Sequence, residues 1–225
     1  FCPFMQVHMT SNLGPWDFGE EAQEIFRRFA VLRMQLFPYL YDAVHETARS
    51  GMPVIRPMVL AFPEDREARK EIYQFAFGPD LIVAPVYQRG TRRSVYLPKG
   101  TWFDYWSGER HTGPRHVEVE APLDRIPLFV RAGAIIPMLP PDVMTLVPRH
   151  ARMDRGVVSM DERRIIQIWP GAAGERTTWD GLRVRLEAGA VRISSKTPRP
   201  VEVRVRGTTI GSFDALTAEQ RLALP

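Results

Sequence analysis

The residues of this 225-residue chain able to carry acid–base chemistry are few and scattered. Splitting a bond between two carboxyl groups needs one held protonated and the other ionised, set apart by their surroundings. Asp17, Asp80, Asp104 and Asp124 stand out, yet each sits in a turn-forming context such as Gly-Pro-Asp or Pro-Leu-Asp. An aspartate there accepts from backbone N–H groups close in sequence, so all four read as turn or strand-end acceptors. His8 ends the apolar run FCPFMQVH, where a buried strand would hand a side chain to a loop. A lone histidine beside such a run is by default structural. His111, His116 and His150 share no metal-ligand spacing with a cysteine or carboxylate cluster. There is no Gly-rich phosphate loop, Walker pattern or Gly-x-Ser-x-Gly elbow. No metal and no cofactor is expected.

These residues depend on the elements that hold them. MTSNLGPWDFG (9–19) has the composition of a loop, and a helix is expected from Glu20, with Asp17 capping its first turn. Ile25, Phe29, Leu32, Leu36 and Leu40 recur at spacings of three and four and share one face. Pro38 should kink the helix, and Gly51 should close it. MPVIRPMVLAFP then reads as extended, and EDREARKEIYQFAF opens as a short polar helix. From residue 78 short apolar runs alternate with Gly, Pro and Asp, the pattern of antiparallel strands. Pro140 and Pro141 mark a boundary. A second set of strands follows in VVSM, RRIIQIWPG, ERTTWDGLRVRLEAGAVRISSK and PVEVRVRG. The fold class is mainly β with an N-terminal helical part.

Bulk properties exclude several classes. The net charge of +4 is not a basic patch: residues 1–140 hold 16 Lys+Arg against 16 Asp+Glu, and residues 141–225 hold 14 against 10. The charges alternate in sign along strands, so no nucleic-acid surface is expected. No apolar run approaches membrane-span length, so no membrane partner is expected. Cys2 is the only cysteine, which precludes an intrachain disulfide and favours a cytoplasmic over a secreted setting. The chain opens at Phe1 without an initiator Met or signal sequence, as expected of the C-terminal part of a longer protein. Its oligomeric state is not legible.

Three landmarks within residues 78–138, FGPDLIVAPV, YLPKGTWFDYWSGE and PLDRIPLFVRAGAIIP, closely resemble the segment after the catalytic barrel in glycoside hydrolase family 31, the α-glucosidase/α-xylosidase family. FCPFMQVH resembles that family's last barrel strand, whose usual form ends Pro-Phe-Met-Arg-x-His. QIWPGAAGERTTWDGLRVRLEAG is similar, more faintly, to the second C-terminal sandwich, with Asp180-Gly181 left of an Asp-Asp-Gly motif.

The resemblance implies the last β/α unit of a (β/α)₈ barrel with its connection at 1–77, a proximal β-sandwich at 78–140 and a smaller distal β-domain at 141–225. It implies the C-terminal part of a retaining α-glycosidase acting on terminal α-linked glucose or xylose of an oligosaccharide or other α-glycoside. The family's two catalytic aspartates lie on earlier barrel strands and fall outside this chain. His8 maps onto a histidine that hydrogen-bonds a sugar hydroxyl. Gln6 stands where most members have Arg, and its neutral amide either lines the site or braces its neighbours. Trp16 either flanks the sugar or packs under its loop. Arg33 and Arg56 read as structural braces, and His45 as a surface residue. A competing reading is a non-catalytic carbohydrate-binding or interaction module presenting Trp102, Trp106 and Trp169. On the first reading the opening fifty residues leave Phe4, Ile25, Phe29 and Leu32 without partners, and a protease-resistant piece should begin near Phe75.

Overall fold

The computed structural model describes residues 1–2, 13–146 and 163–225. α1 spans Glu20–Gln35, with Glu20 and Glu21 in its first turn, where carboxylates meet the positive end of the helix dipole. Asp17 does not cap it. Its carboxylate accepts from the Gly14 N–H at 2.6 Å and closes a 3₁₀ turn over Pro15–Phe18. Gly19, at φ 90°, makes the corner into α1, a conformation costly for any residue with a Cβ. Pro38 produces a break, not a kink. α1 stops at Leu36, and α2 (Phe37–Ser50) opens with Pro38 in its first turn, where the missing N–H has no helical partner to lose. Gly51, left-handed at φ 75°, closes α2 as its sequence position predicts.

Six strands follow: β1 (Ile55–Pro57), β2 (Phe75–Phe77), β3 (Leu81–Val83), β4 (Arg92–Asp104), β5 (Arg110–Glu120) and β6 (Leu128–Arg131). They form one antiparallel sheet in the order β1-β2-β3-β6-β4-β5. MPVIRPMVLAFP, expected to be extended throughout, makes one helical turn, α3 (Met58–Ala61), and the polar helix expected after it is reduced to a 3₁₀ turn at Ala68–Lys70. The cause is Asp65, whose Oδ1 accepts from the N–H groups of Glu67 and Ala68 at 3.0 and 3.1 Å. Such local side-chain bonds compete with helix formation.

Both faces of this sheet are covered. Leu81, Val83, Leu128 and Val130 pack with Leu36, Tyr39 and Leu40 of the helical pair. The alternate residues Ile82 and Phe129 face Met58, Tyr96 and Trp102. Side chains alternate across a strand, so two covered faces require continuous apolar runs, which is why LIVA and LFV contain no polar residue.

β7 (Ile135–Met138) leaves that sheet and pairs with β8 (Arg164–Ile168). β8 runs parallel to β12 (Arg199–Val205), and β13 (Thr208–Leu216) lies outermost. A second four-stranded sheet has the order β14 (Gln220–Ala223), β11 (Ala190–Ser195), β10 (Leu182–Glu187), β9 (Gly174–Thr177). The two sheets close on Ile166, Ile168, Leu182, Val184, Val191 and Val203. In LRVRLE the leucines and Val184 are buried while Arg183 and Arg185 reach solvent, the alternation of a half-covered sheet. Hydrogen bonding thus runs across residue 77 through β2–β3 and across residue 140 through β7–β8. The expected VVSM strand lies outside the described residues. No described helix is long and apolar enough to cross a membrane.

Candidate functional site

His8 and Gln6 lie outside the described residues, so their surroundings are read from the chain on either side. Phe1 packs edge-on against Phe29 and Phe77, with centroids 6.3 and 6.1 Å away. Arg33 donates from Nε to the Cys2 carbonyl at 3.2 Å, so this predicted brace does tie α1 to the residues before His8. Trp16 sits in the 3₁₀ turn with 68% of its surface exposed. Its ring folds back over Gly14, where an added Cβ would meet it at 2.2 Å. An exposed indole on a closed turn can stack against a flat apolar face.

The predicted apolar stripe of α1 splits in two. Leu32, Leu36 and Leu40 are buried, whereas Ile25 and Phe29, with Phe1, Phe18 and Leu123, line an open apolar hollow of about 610 Å³. The sheet lies under the end of α1 and not under its start.

Of the four aspartates, Asp104 behaves as read, accepting from the N–H groups of Trp106 and Ser107 at 2.8 and 2.7 Å. Asp124 holds Arg28 at 3.0 Å on the surface. Asp80 is different: it is buried, and its carboxylate pairs with Arg131 at 2.9 Å and with Arg176. Its backbone N–H donates to the Tyr39 hydroxyl at 3.0 Å, and that hydroxyl donates to the Phe77 carbonyl at 2.9 Å. Burial, reinforced by the Asp80 carboxylate, pushes the Tyr39 phenol well above its ordinary range, so it keeps the proton it donates. Arg56 braces similarly, bonding the Pro53 carbonyl at 2.9 Å and Glu46 of α2 at 3.0 Å.

The tryptophans of the binding-module reading are not exposed platforms. Trp102 and Trp169 are 2% and 3% exposed. Trp106 is half-buried and donates to the Ile126 carbonyl at 2.8 Å. Trp102 lies on an inward position of β4, and Trp169 fills the space beside Phe103 and Tyr105, so all three serve packing.

Two clusters are brought together that sequence spacing does not reveal. Glu67, Glu71 and His116 place ligand atoms within 4.8 Å of one another. Each has a protein partner, Glu67 with Lys70 and Glu71 with His116, and the 45 residues between Glu71 and His116 hide the grouping. The second joins Tyr41 and His45 of α2 to Trp179 at the β9–β10 turn.

Two family descriptions match in chain order: "Glycosyl hydrolases family 31 TIM-barrel domain" over residues 1–43 and "Glycosyl hydrolase family 31 C-terminal domain" over residues 51–136. Together they span more than half of the chain. The chain belongs to glycosyl hydrolase family 31. An alpha-xylosidase of Saccharolobus solfataricus is 39% identical over 194 residues, covering 84% of this chain and 25% of that protein. Alpha-glucosidase 2 of Bacillus thermoamyloliquefaciens is 30% identical over 181 residues, covering 79% of this chain and 22% of that protein. Among solved structures, the cycloalternan-forming enzyme of Listeria monocytogenes, in complex with a pentasaccharide substrate, superposes with a TM-score of 0.74 at 25% identity. That match covers 94% of this chain and 25% of the enzyme. The family 31 chain described here spans about a quarter of the length of these relatives. Its helical pair falls mostly within the barrel match, and the six-stranded sheet within the C-terminal match.

Proposed function

We propose that this chain is the C-terminal part of a retaining family 31 α-glycosidase releasing terminal α-linked glucose or xylose from oligosaccharides. The observation that carries the reading is the succession of a barrel match and a C-terminal-domain match in one chain, together with relatives named alpha-xylosidase and alpha-glucosidase. In this reading residues 1–77 bring the end of the catalytic barrel, with β1 and β2 joining the sheet of the next part, 78–140 make a proximal and 141–225 a distal β-domain. Retaining hydrolysis proceeds through a covalent glycosyl–carboxylate intermediate, with a second carboxyl acting first as acid and then as base. Both carboxylates belong to earlier barrel strands, and neither a cofactor nor a metal takes part.

This chain's own residues position the sugar. Barrel enzymes draw substrate contacts from the C-terminal ends of strands. His8, which the family resemblance maps to such an end, hydrogen-bonds a sugar hydroxyl. Gln6 offers an amide that donates and accepts without fixed charge. The exposed indole of Trp16 flanks the ring. In the full-length enzyme, His8→Ala should lower kcat/KM by roughly ten- to a hundredfold, since a hydrogen bond of about 1–3 kcal/mol is lost. The melting temperature should hardly move. Loss of fold without a separable kinetic effect would make His8 a structural residue. The binding-module reading loses its platforms, because Trp102 and Trp169 are buried.

A further inference from the structure

We propose that the hollow between α2 and the β9–β10 turn is a sugar-binding site, with Trp179 as the face on which a pyranose ring stacks. The class of ligand rests on the α-glycosidase reading of the parent protein, whereas the existence of the site rests on its geometry. The hollow measures about 630 Å³, within the range of small-molecule sites. Trp179 is 40% exposed. Its ring and that of His45 lie parallel within 4° with centroids 6.3 Å apart, and Tyr41 stands perpendicular to both, 5.0 and 4.8 Å away.

The platform is rigid. The Trp179 backbone N–H donates to Asp42 Oδ1 at 2.8 Å, fixing the turn to α2. The turn itself is closed by Thr178 N–H to the Leu182 carbonyl at 2.8 Å and Gly181 N–H to the Thr178 carbonyl at 3.0 Å. A pre-ordered aromatic loses little entropy when it is covered.

The polar groups select the ligand. Asp42, Glu46 and Glu175 stand with Arg49, Arg176 and Lys196 around the hollow, so its formal charge is balanced and favours neither an anion nor a cation. A neutral polyhydroxylated ligand satisfies both signs, because carboxylates accept from hydroxyls while guanidinium and ammonium groups donate to them. Its C–H face covers the indole. Asp42 lines the hollow with its side chain 8% exposed, held by the Trp179 backbone N–H on Oδ1 and by Arg176 at 3.7 Å from Oδ2.

The test is calorimetric titration of the 225-residue chain with isomaltotriose and with maltotriose. We expect saturable binding at one site with a dissociation constant on the order of 1 mM. Trp179→Ala should weaken it about tenfold and His45→Ala about threefold. Trp179→Phe, which keeps an aromatic face, should retain most of the affinity and guards against misfolding of the alanine variant. Arg92→Ala, on the exposed β4–β5 pair away from the hollow, should leave binding unchanged. Absence of saturable binding, or binding indifferent to Trp179→Ala, would overturn the proposal. Binding lost in His8→Ala but kept in Trp179→Ala would overturn it too, while leaving the α-glycosidase reading intact.

Discussion

Asp180 sits between two guanidinium groups that are themselves out of water. Arg164 approaches it at 2.9 Å, Arg199 pairs with it more closely, and their side chains are 3% and 7% exposed. Burial alone would raise its carboxyl, but the Thr178 hydroxyl, Arg164 and Arg199 together outweigh that and hold it below the ordinary carboxylate range. A depressed carboxyl stabilises the fold above its unfolded pKa of about 3.9 and loses that contribution as pH falls through the folded value. Asp180→Asn should cost about 3 kcal/mol at neutral pH, because a carboxylate shared by two buried cations is lost. Denaturant unfolding should show the wild-type advantage shrinking below about pH 4, with the variant's stability flatter there. Equal stability of the two at pH 7 would contradict this. How legible such residues are depends on where their partners lie. Asp104 is readable as a turn acceptor because its donors are two and three residues on. Asp180 shows only as part of a motif, since Arg164 and Arg199 are 16 and 19 residues away on other strands. Trp179 is invisible for the same reason, its partners on α2 lying well over a hundred residues earlier.

At the scale of elements, the buried Tyr39 phenol ties α2 to the sheet alongside the Arg56–Glu46 pair. Tyr39→Phe removes the acceptor of the Asp80 N–H and the donor to the Phe77 carbonyl, both buried. Stability should fall by about 1–3 kcal/mol in urea unfolding, and no change would mean that those groups find other partners. The sequence places the start of α1, the interruption at Pro38 and the cap at Gly51, because each rests on local chemistry. It misplaces the stable boundary. α2 carries Leu36, Tyr39, Leu40 and Ala43 into the same core as Phe77 and Leu128, whereas the start of α1 borders the open apolar hollow. Limited proteolysis should therefore cut within or before α1 and leave a resistant piece beginning near Leu36, not near Phe75. A fragment starting at Phe75 would show that α2 detaches with α1. The apolar stripe could not reveal this, since its spacing is uniform while the surface beneath it is not.

At the scale of the molecule, one antiparallel sheet covered on both faces joins the helical pair on one side to a two-sheet sandwich through β7 on the other. The chemistry proposed for the parent depends on carboxylates from earlier barrel strands. The 225-residue chain alone should therefore show no α-glycosidase turnover above a buffer control, because positioning by His8 replaces neither a nucleophile nor a proton donor. Turnover by the purified chain would mean that the reacting carboxylates are among its own residues. The β-rich fold and the family are legible from Gly, Pro and aromatic landmarks spread over sixty residues, since those positions encode turns and inward faces. The sugar is not, because it depends on contacts made in three dimensions by residues distant in sequence. The most direct test is to follow by proton NMR the action of the full-length protein on p-nitrophenyl α-glucoside and α-xyloside. The account predicts hydrolysis of at least one, with the α-anomer of the free sugar appearing first. No hydrolysis of either, or the β-anomer appearing first, would contradict it.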